Sequence, residues 1–125
     1  MHVLDNPVWQ SLSTCQLNVA VGDADVKRYL PAMAPFIGVP DSDAPIAAQL
    51  RRLVAVDESL YFVGVAPQLP PLWKMEEHAP VVQMLCSSRA DTGRNAPEIS
   101  ILSDADIPAM IELTSLVYPE FFRSR

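Results

Sequence analysis

The sequence predicts a fold of the α/β or α+β class, with a mixed central sheet and two or three helices. Residues 60–66 (LYFVGVA) form a continuous apolar run whose length and β-branched content are typical of a strand buried on both faces. Two other segments, one after Asp41 and one after Ser103, repeat apolar residues with helical spacing. The twelve prolines favour many short elements over a bundle of long helices.

Length, composition and charge exclude several classes of protein. With 125 residues, of which 50% are hydrophobic and 19% charged, the chain can bury one small core and does not resemble a disordered protein. The formal net charge of −6 argues against nucleic acid and against anionic membrane surfaces as partners. No apolar run approaches the roughly 20 residues of a membrane helix.

The start of the chain and its two cysteines favour a cytoplasmic protein. The residues after Met1 lack the basic region and the apolar region of a secretory signal peptide. Cys15 and Cys86 lie far apart in sequence, each in strand-like surroundings. We therefore expect two buried, reduced thiols, with a disulfide as the alternative.

A short helix that ends near Leu12 is predicted near the N-terminus, and residues 4–9 lead into it. Asp5 or Asn6 is suited to its N-cap, and Pro7 to its first turn. Trp9 is expected to anchor the core rather than to bind a ligand, because small domains use large aromatic side chains to bury area.

A hairpin is predicted to follow this helix. Residues 16–21 alternate apolar and polar side chains, and Gly22-Asp23 is a turn signal. Residues 26–30 then form the returning strand. Residues 29–40 contain three prolines and are expected to form an ordered loop with Phe36 as an apolar plug.

The residues after Asp41 predict a second helix with Pro45 in its first turn. Its apolar face consists of Ile46, Leu50, Leu53 and Val54. Arg51 and Arg52 lie in the last turns, where the helix dipole favours cations. We interpret this arginine pair, like Lys27-Arg28, as part of a solvated face.

Two more strands are predicted after the 60–66 run, over residues 72–77 and 81–86. A polar stretch with Gly and Pro but no apolar periodicity follows them, and it is typical of a linker. This stretch divides the chain into an N-terminal region of mixed character over residues 1–88, a linker over residues 89–97 and a strand-helix unit over residues 98–125.

The strand-helix unit begins with the alternating Ile99 and Ile101. If Ser103 is the N-cap of the helix, Pro108 falls just past the first turn and is costly; if Asp106 is the N-cap, Pro108 falls at the second helical position and is harmless. The helix has a wide apolar stripe and is expected to be largely buried; the stripe consists of Ile107, Met110, Ile111, Leu113, Thr114, Leu116 and Val117.

This unit resembles the start of the catalytic domain of the GNAT superfamily of acyl-CoA-dependent N-acetyltransferases, in particular a bacterial subgroup with an N-terminal extension. The similar residues are Glu98-Ile99-x-x-Leu102, Asp104-Ala105-Asp106-Ile107-Pro108-x-Met110 and Tyr118-Pro119-x-Phe121, together with Leu4-Asp5-Asn6-Pro7-Val8-Trp9 and Gln83-Met84. The resemblance implies that the chain covers the accessory region and the first strand and helix of such a domain.

The family binds acetyl-CoA through a loop of the form Arg/Gln-x-x-Gly-x-Gly/Ala, whose backbone N–H groups contact the pyrophosphate. No two glycines of this chain are adjacent or one residue apart; they are Gly22, Gly38, Gly64 and Gly93. Around Gly93, Ala90 stands in place of Arg or Gln and Asn95 in place of Gly or Ala. The chain therefore resembles a truncated N-acetyltransferase, with no assigned catalytic or cofactor-binding residue, and we expect neither activity nor acetyl-CoA binding from it alone.

The resemblance also suggests a partner surface. In the family, the segment after the first helix helps to wall the acceptor-substrate site, which makes Phe121 the best candidate, flanked by Tyr118 and Phe122. Without the rest of that site, packing against a partner is the more natural role. The expected partner is a C-terminal acetyltransferase half or a second copy of the chain.

Other chemistries have little support in the sequence. His2 and His78 are the only histidines, and no spacing of ligands indicates a metal site. Glu76-Glu77-His78 is typical of a solvated edge, and nothing in the sequence activates a Cys86–His78 nucleophile pair. The alternative to an acetyltransferase fragment is a stand-alone structural or protein-interaction module, possibly a homodimer that exchanges its terminal strand-helix unit.

Overall fold

A computed structural model of the chain describes residues 2–86 and 99–118. Within these ranges it contains three α-helices, α1 (Pro7–Ser13), α2 (Ala47–Leu53) and α3 (Ile107–Ser115), and three strands, β1 (Ala20–Gly22), β2 (Lys27–Tyr29) and β3 (Ile37–Gly38). Single 3₁₀ turns occur at Val3–Asp5, Leu17–Val19 and Asp104–Asp106. The prediction of a mixed fold with helices and a sheet is confirmed. In these same ranges, every helix is too short to cross a bilayer.

The strands form one sheet in the order β1-β2-β3, and both pairs are antiparallel. The predicted hairpin is confirmed: Val21 lies opposite Arg28, and the turn between β1 and β2 is closed by Asp23. The Asp23 carboxylate accepts hydrogen bonds from the backbone N–H groups of Asp25 and Val26, at 3.0 and 3.3 Å. This is the Asx-type turn that aspartate favours after glycine.

Next to β3, the chain makes a short parallel contact with the predicted 60–66 strand. Phe36 and Tyr61 form an isolated bridge, in which the Tyr61 N–H donates to the Pro35 carbonyl at 2.8 Å and the Ile37 N–H donates to the Tyr61 carbonyl at 3.1 Å. The two aromatic rings are tilted against each other, with centroids 6.1 Å apart. The named strands are thus antiparallel, and the parallel pairing is a single bridge.

The core lies between the sheet and α2. Its buried cluster consists of Val26, Ile37, Val39, Ile46 and Leu50. Leu12 of α1 is also fully buried. The predicted apolar face of the second helix is confirmed, since Ile46 and Leu50 are buried and Leu53 and Val54 pack against them. Pro45 precedes the helix instead of lying in its first turn, because α2 begins at Ala47.

The N-terminal segment lies tightly against the 36–65 region, and two glycines allow the approach. A Cβ at Gly38 would lie 2.7 Å from the backbone nitrogen of Trp9, and a Cβ at Gly64 would lie 2.0 Å from the carbonyl oxygen of Asp5. Asn6, one of the two predicted candidates, is the N-cap of α1, but its side chain does not cap the helix. Instead its amide donates to the Val39 carbonyl at 2.7 Å, which ties the N-terminus to the core.

Several predicted strands are wrong or displaced. Residues 17–19 form a 3₁₀ turn, so only the end of the predicted 16–21 strand pairs as β1. The predicted 29–40 loop contains β3. In 60–66, pairing is limited to Tyr61, and Gly64 adopts a φ of 94°, which suits its close contact with Asp5 but not a regular strand. The segments 72–77 and 81–86 are irregular and mostly exposed, because no neighbouring strand lies beside them among the described residues. The same holds for the described part of the predicted strand at Ile99–Ile101.

Three residue-level predictions also need correction. Both cysteines are exposed, since neither Cys15 nor Cys86 lies in the strand that was expected to bury it. Arg28 is buried and paired, not part of a solvated face. Trp9 is half-buried, and the Lys27 ammonium lies 4.9 Å from the centroid of its ring, a cation–π arrangement.

Candidate interaction surface

Helix α3 begins with a well-defined cap. The Asp106 carboxylate accepts hydrogen bonds from the Ser103 N–H and the Ser103 hydroxyl, at 2.8 and 3.0 Å. These two bonds, the backbone one first, lower the pKa of Asp106 below its ordinary value of 3.8. Ser103 caps the 3₁₀ turn, and Asp106 then serves as the N-cap of α3. Both predicted helix starts are therefore used in succession, and Pro108 occupies a harmless position in the first turn.

The prediction that α3 is largely buried is wrong, because none of its residues is buried. Leu113 is 67% exposed and Leu116 is 79% exposed, whereas the equivalent core leucine of α2, Leu50, is 2% exposed. Periodicity predicted the helix correctly, since capping and spacing are local properties of the sequence. Periodicity does not predict whether another part of the protein covers the helix.

The apolar stripe of α3 is unusually wide. At 3.6 residues per turn the apolar side chains of α3 and of the turn that continues it cover an arc of about 220° that contains no charged side chain. They are Ile107, Met110, Ile111 and Leu113 of α3, and Leu116 and Val117 of the following turn. Glu112 lies on the opposite side. A flat partner contacts less than half of a helix, so full burial of α3 requires a groove with walls on two sides.

The predicted partner-surface residues are only partly described. Tyr118 follows α3, its N–H donates to the Thr114 carbonyl at 2.8 Å, and its side chain is 55% exposed. Tyr118 thus extends the exposed surface of α3 at its C-terminal end. Phe121 and Phe122 lie outside the described residues, as do Pro119, Glu98 and the whole of the 89–97 linker.

A second exposed apolar surface is formed by residues 72–85, which in sequence come after the core residues and before the predicted linker. Its large side chains are Leu72, Met75, Val81, Val82, Met84 and Leu85. One polar contact fixes part of this segment: the Gln83 amide donates to the Leu4 carbonyl at 2.6 Å. The sequence predicts an apolar strand at residues 81–86, whereas the structure leaves this segment irregular and exposed.

The one buried ion pair in the described chain was missed by sequence analysis. The Arg28 guanidinium donates to both carboxylate oxygens of Glu58, at 2.5 and 3.0 Å, and to the carbonyl of Leu53. Glu58 also accepts from the Ala55 N–H at 2.9 Å. The ion pair connects β2 to the turn after α2. Because the hydrogen-bond partners named here all belong to the chain itself, the pair has a structural role. Its two members lie 30 residues apart, so no local pattern reveals them.

The histidine and carboxylate groups do not assemble a reaction centre in the described ranges. His78 is exposed, and its ring lies 6.0 Å from that of Tyr61. Glu76 and Glu77 are exposed as well. Among residues 2–86 and 99–118, no three histidine, cysteine, aspartate or glutamate side chains converge as metal ligands would. The surfaces that stand out among the described residues are apolar.

Comparison of the chain with protein-family models, with curated proteins and with solved structures gives no match in any of the three.

Proposed function

We propose that this chain is the N-terminal part of a GNAT-like N-acetyltransferase, and that it serves to dock with the remainder of the acetyltransferase domain through α3. Alone it neither binds acetyl-CoA nor transfers acetyl groups. The proposal includes a cytoplasmic location, which suits Cys15 as an exposed free thiol.

The observation that supports this proposal most directly is the uncovered apolar arc of α3. A helix that is apolar over about 220° of its circumference is stable in water only when other elements cover it. The order of motifs in the sequence, from Leu4-Asp5-Asn6-Pro7 to Tyr118-Pro119-x-Phe121, supports the family. In that family the helix is the first of the catalytic domain, and the elements that cover it come from the same domain.

The first test is calorimetric titration of the chain with acetyl-CoA. We expect no saturable binding, because the chain has no pair of glycines spaced as in the pyrophosphate loop. Tight binding with one acetyl-CoA per chain would overturn the proposal. Coenzyme A without the acetyl group serves as the ligand control.

A second test concerns the covering polypeptide. Under this proposal the coding DNA after codon 125 encodes further strands followed by Arg/Gln-x-x-Gly-x-Gly/Ala.

Leu113→Cys in a background with Cys15→Ser and Cys86→Ser should react rapidly with a thiol reagent, and the encoded polypeptide should slow this reaction. Val56→Cys, at a position that is 92% exposed, is the matched control and should react equally fast with and without that polypeptide. Equal labelling of both sites in its presence would contradict docking through α3.

The competing function is a stand-alone interaction module in which residues 98–125 exchange between two copies. It predicts that removal of these residues abolishes assembly or folding. The width of the α3 arc disfavours a pair formed by two α3 helices alone, since each would leave much of the other uncovered.

A further inference from the structure

The segment Val81–Leu85 (VVQML) is an exposed stretch that has no partner strand among residues 2–86 and 99–118. It contains no charge, no proline and no glycine, and its residues include β-branched and flexible apolar types. Its path has no turn or bend, and none of its backbone groups hydrogen-bonds to the backbone of another described residue. Such an uncharged edge, with open backbone donors and acceptors, is a template for pairing with another strand.

The contact of Gln83 with Leu4 orients the segment. The Gln83 amide donates inward to the Leu4 carbonyl, and side chains alternate sides along an extended chain. Val82 and Met84 therefore lie on the side opposite to Gln83, and they are 83% and 90% exposed, more than Val81 and Leu85 at 73% and 70%. Val82 and Met84 thus form the more exposed apolar side of this segment, and its backbone pairs with no backbone group of another described residue.

We propose that Val81–Leu85 pairs with the same segment of a second copy as an antiparallel two-stranded ribbon centred on Gln83. In this register Val82 lies opposite the Met84 of the second copy, and Met84 lies opposite its Val82. Both cross-strand pairs are apolar and lie on one face, and cross-strand pairs of this kind stabilise sheets. The pairing brings no like charges together within the segment, which matters for a chain with a net charge of −6.

The antiparallel register is favoured over a parallel one by symmetry. An antiparallel pair about a two-fold axis uses the same patch on both copies and closes as a dimer. The pairing involves neither α3 nor acetyl-CoA, so it is independent of the function proposed above.

Sedimentation equilibrium of the purified chain and three variants tests this proposal. The wild-type chain should be in a concentration-dependent monomer–dimer equilibrium. Val82→Lys alone and Met84→Glu alone should each weaken dimerisation at least about tenfold, because each places two charges against apolar side chains in the ribbon. Val56→Lys places the same charge at a site that is 92% exposed and should dimerise like the wild type.

An equimolar mixture of V82K and M84E tests the antiparallel register, which requires the mixture to bind more tightly than its components. In the antiparallel ribbon the new ammonium of one copy lies opposite the new carboxylate of the other, and the remaining Met84–Val82 pair is native. The mixture should therefore dimerise more tightly than either variant alone.

Circular dichroism spectra that match the wild type would show that the variants remain folded. A wild-type chain that stays monomeric over its whole soluble range would overturn the proposal, as would undisturbed dimerisation of V82K. A mixture no tighter than its components would overturn the antiparallel register.

Discussion

Removing the Glu58 carboxylate should be among the most damaging single changes in this protein. Arg28 is 2% exposed, and without Glu58 its guanidinium keeps only carbonyl partners at Leu53 and Tyr29. A buried charge that loses its partner typically costs 3–5 kcal/mol. We expect Glu58→Ala to lower the free energy of unfolding by about 3 kcal/mol, measured by urea denaturation.

The double variant Arg28→Met with Glu58→Leu is the control for this prediction. It removes both charges and replaces them with apolar side chains of similar size, which often restores stability at buried ion pairs. It should therefore be more stable than Glu58→Ala. If the double variant is the less stable of the two, the ion pair itself, and not the unpaired charge, accounts for the loss.

Asp23 should make the stability of the hairpin depend on pH. The hydrogen bond from the Asp25 N–H is the main cause that lowers the pKa of Asp23 below its ordinary value of 3.8; bonds from Val26 and Gln49 and the charge of Arg52 add to it. A carboxylate whose pKa is lower when folded stabilises the fold above its unfolded pKa and loses this contribution as pH falls through the folded pKa.

Asp23→Asn tests this, because the amide oxygen still accepts from the turn but does not titrate. The wild type should be the more stable protein at neutral pH, and the difference should shrink as the pH falls below 3.8. Thermal denaturation of both proteins between pH 7 and pH 2.5 measures it. A difference that stays constant over that range would mean that the charge of Asp23 is irrelevant to folding.

At the scale of single elements, equivalent substitutions in α2 and α3 should differ sharply. Leu50→Ala should cost about 2–5 kcal/mol, because Leu50 is 2% exposed and its removal leaves a cavity in the core. Leu113→Ala should change the free energy of unfolding by less than about 0.5 kcal/mol, since Leu113 is 67% exposed. A large effect of Leu113→Ala in urea denaturation would show that α3 is packed in solution.

The elements that sequence analysis predicted correctly are those with local causes. The Gly22-Asp23 turn determines the hairpin, and helical periodicity determines α2 and α3, the latter together with the Ser103–Asp106 cap. The strands at 60–66 and 81–86 failed for a common reason. Apolar, β-branched composition favours the strand conformation locally. A strand also needs a neighbouring strand to pair with, and whether one is present depends on the whole fold.

The candidate surface shows the same limit. Spacing identified the apolar residues of α3 and the resemblance pointed to Tyr118, which the structure exposes. Neither revealed that α3 is uncovered, because exposure depends on contacts that are distant in sequence. For the same reason, the predicted strand at 81–86 did not reveal that Val82 and Met84 are exposed.

At the scale of the whole molecule, stability and association are expected to reside in different parts of the chain. In the described part of the chain, the buried side chains lie between Asn6 and Pro67, whereas the two exposed apolar surfaces lie at 72–85 and 99–118. Since area removed from water drives folding, cooperative unfolding should report on the first part alone. The apolar area that stays exposed in the second part is available for binding.

A chain that ends at Pro97 tests this division. Because none of the described residues after 98 is buried, its free energy of unfolding should match that of the full chain within about 0.5 kcal/mol. Its denaturant slope should also match, since the slope follows the area exposed on unfolding. Loss of cooperative unfolding in the shortened chain would instead favour the exchange module, in which residues 98–125 complete the core of a second copy. The proposed acetyltransferase half requires two results together. The shortened chain should still unfold cooperatively, and it should no longer dock with the covering polypeptide.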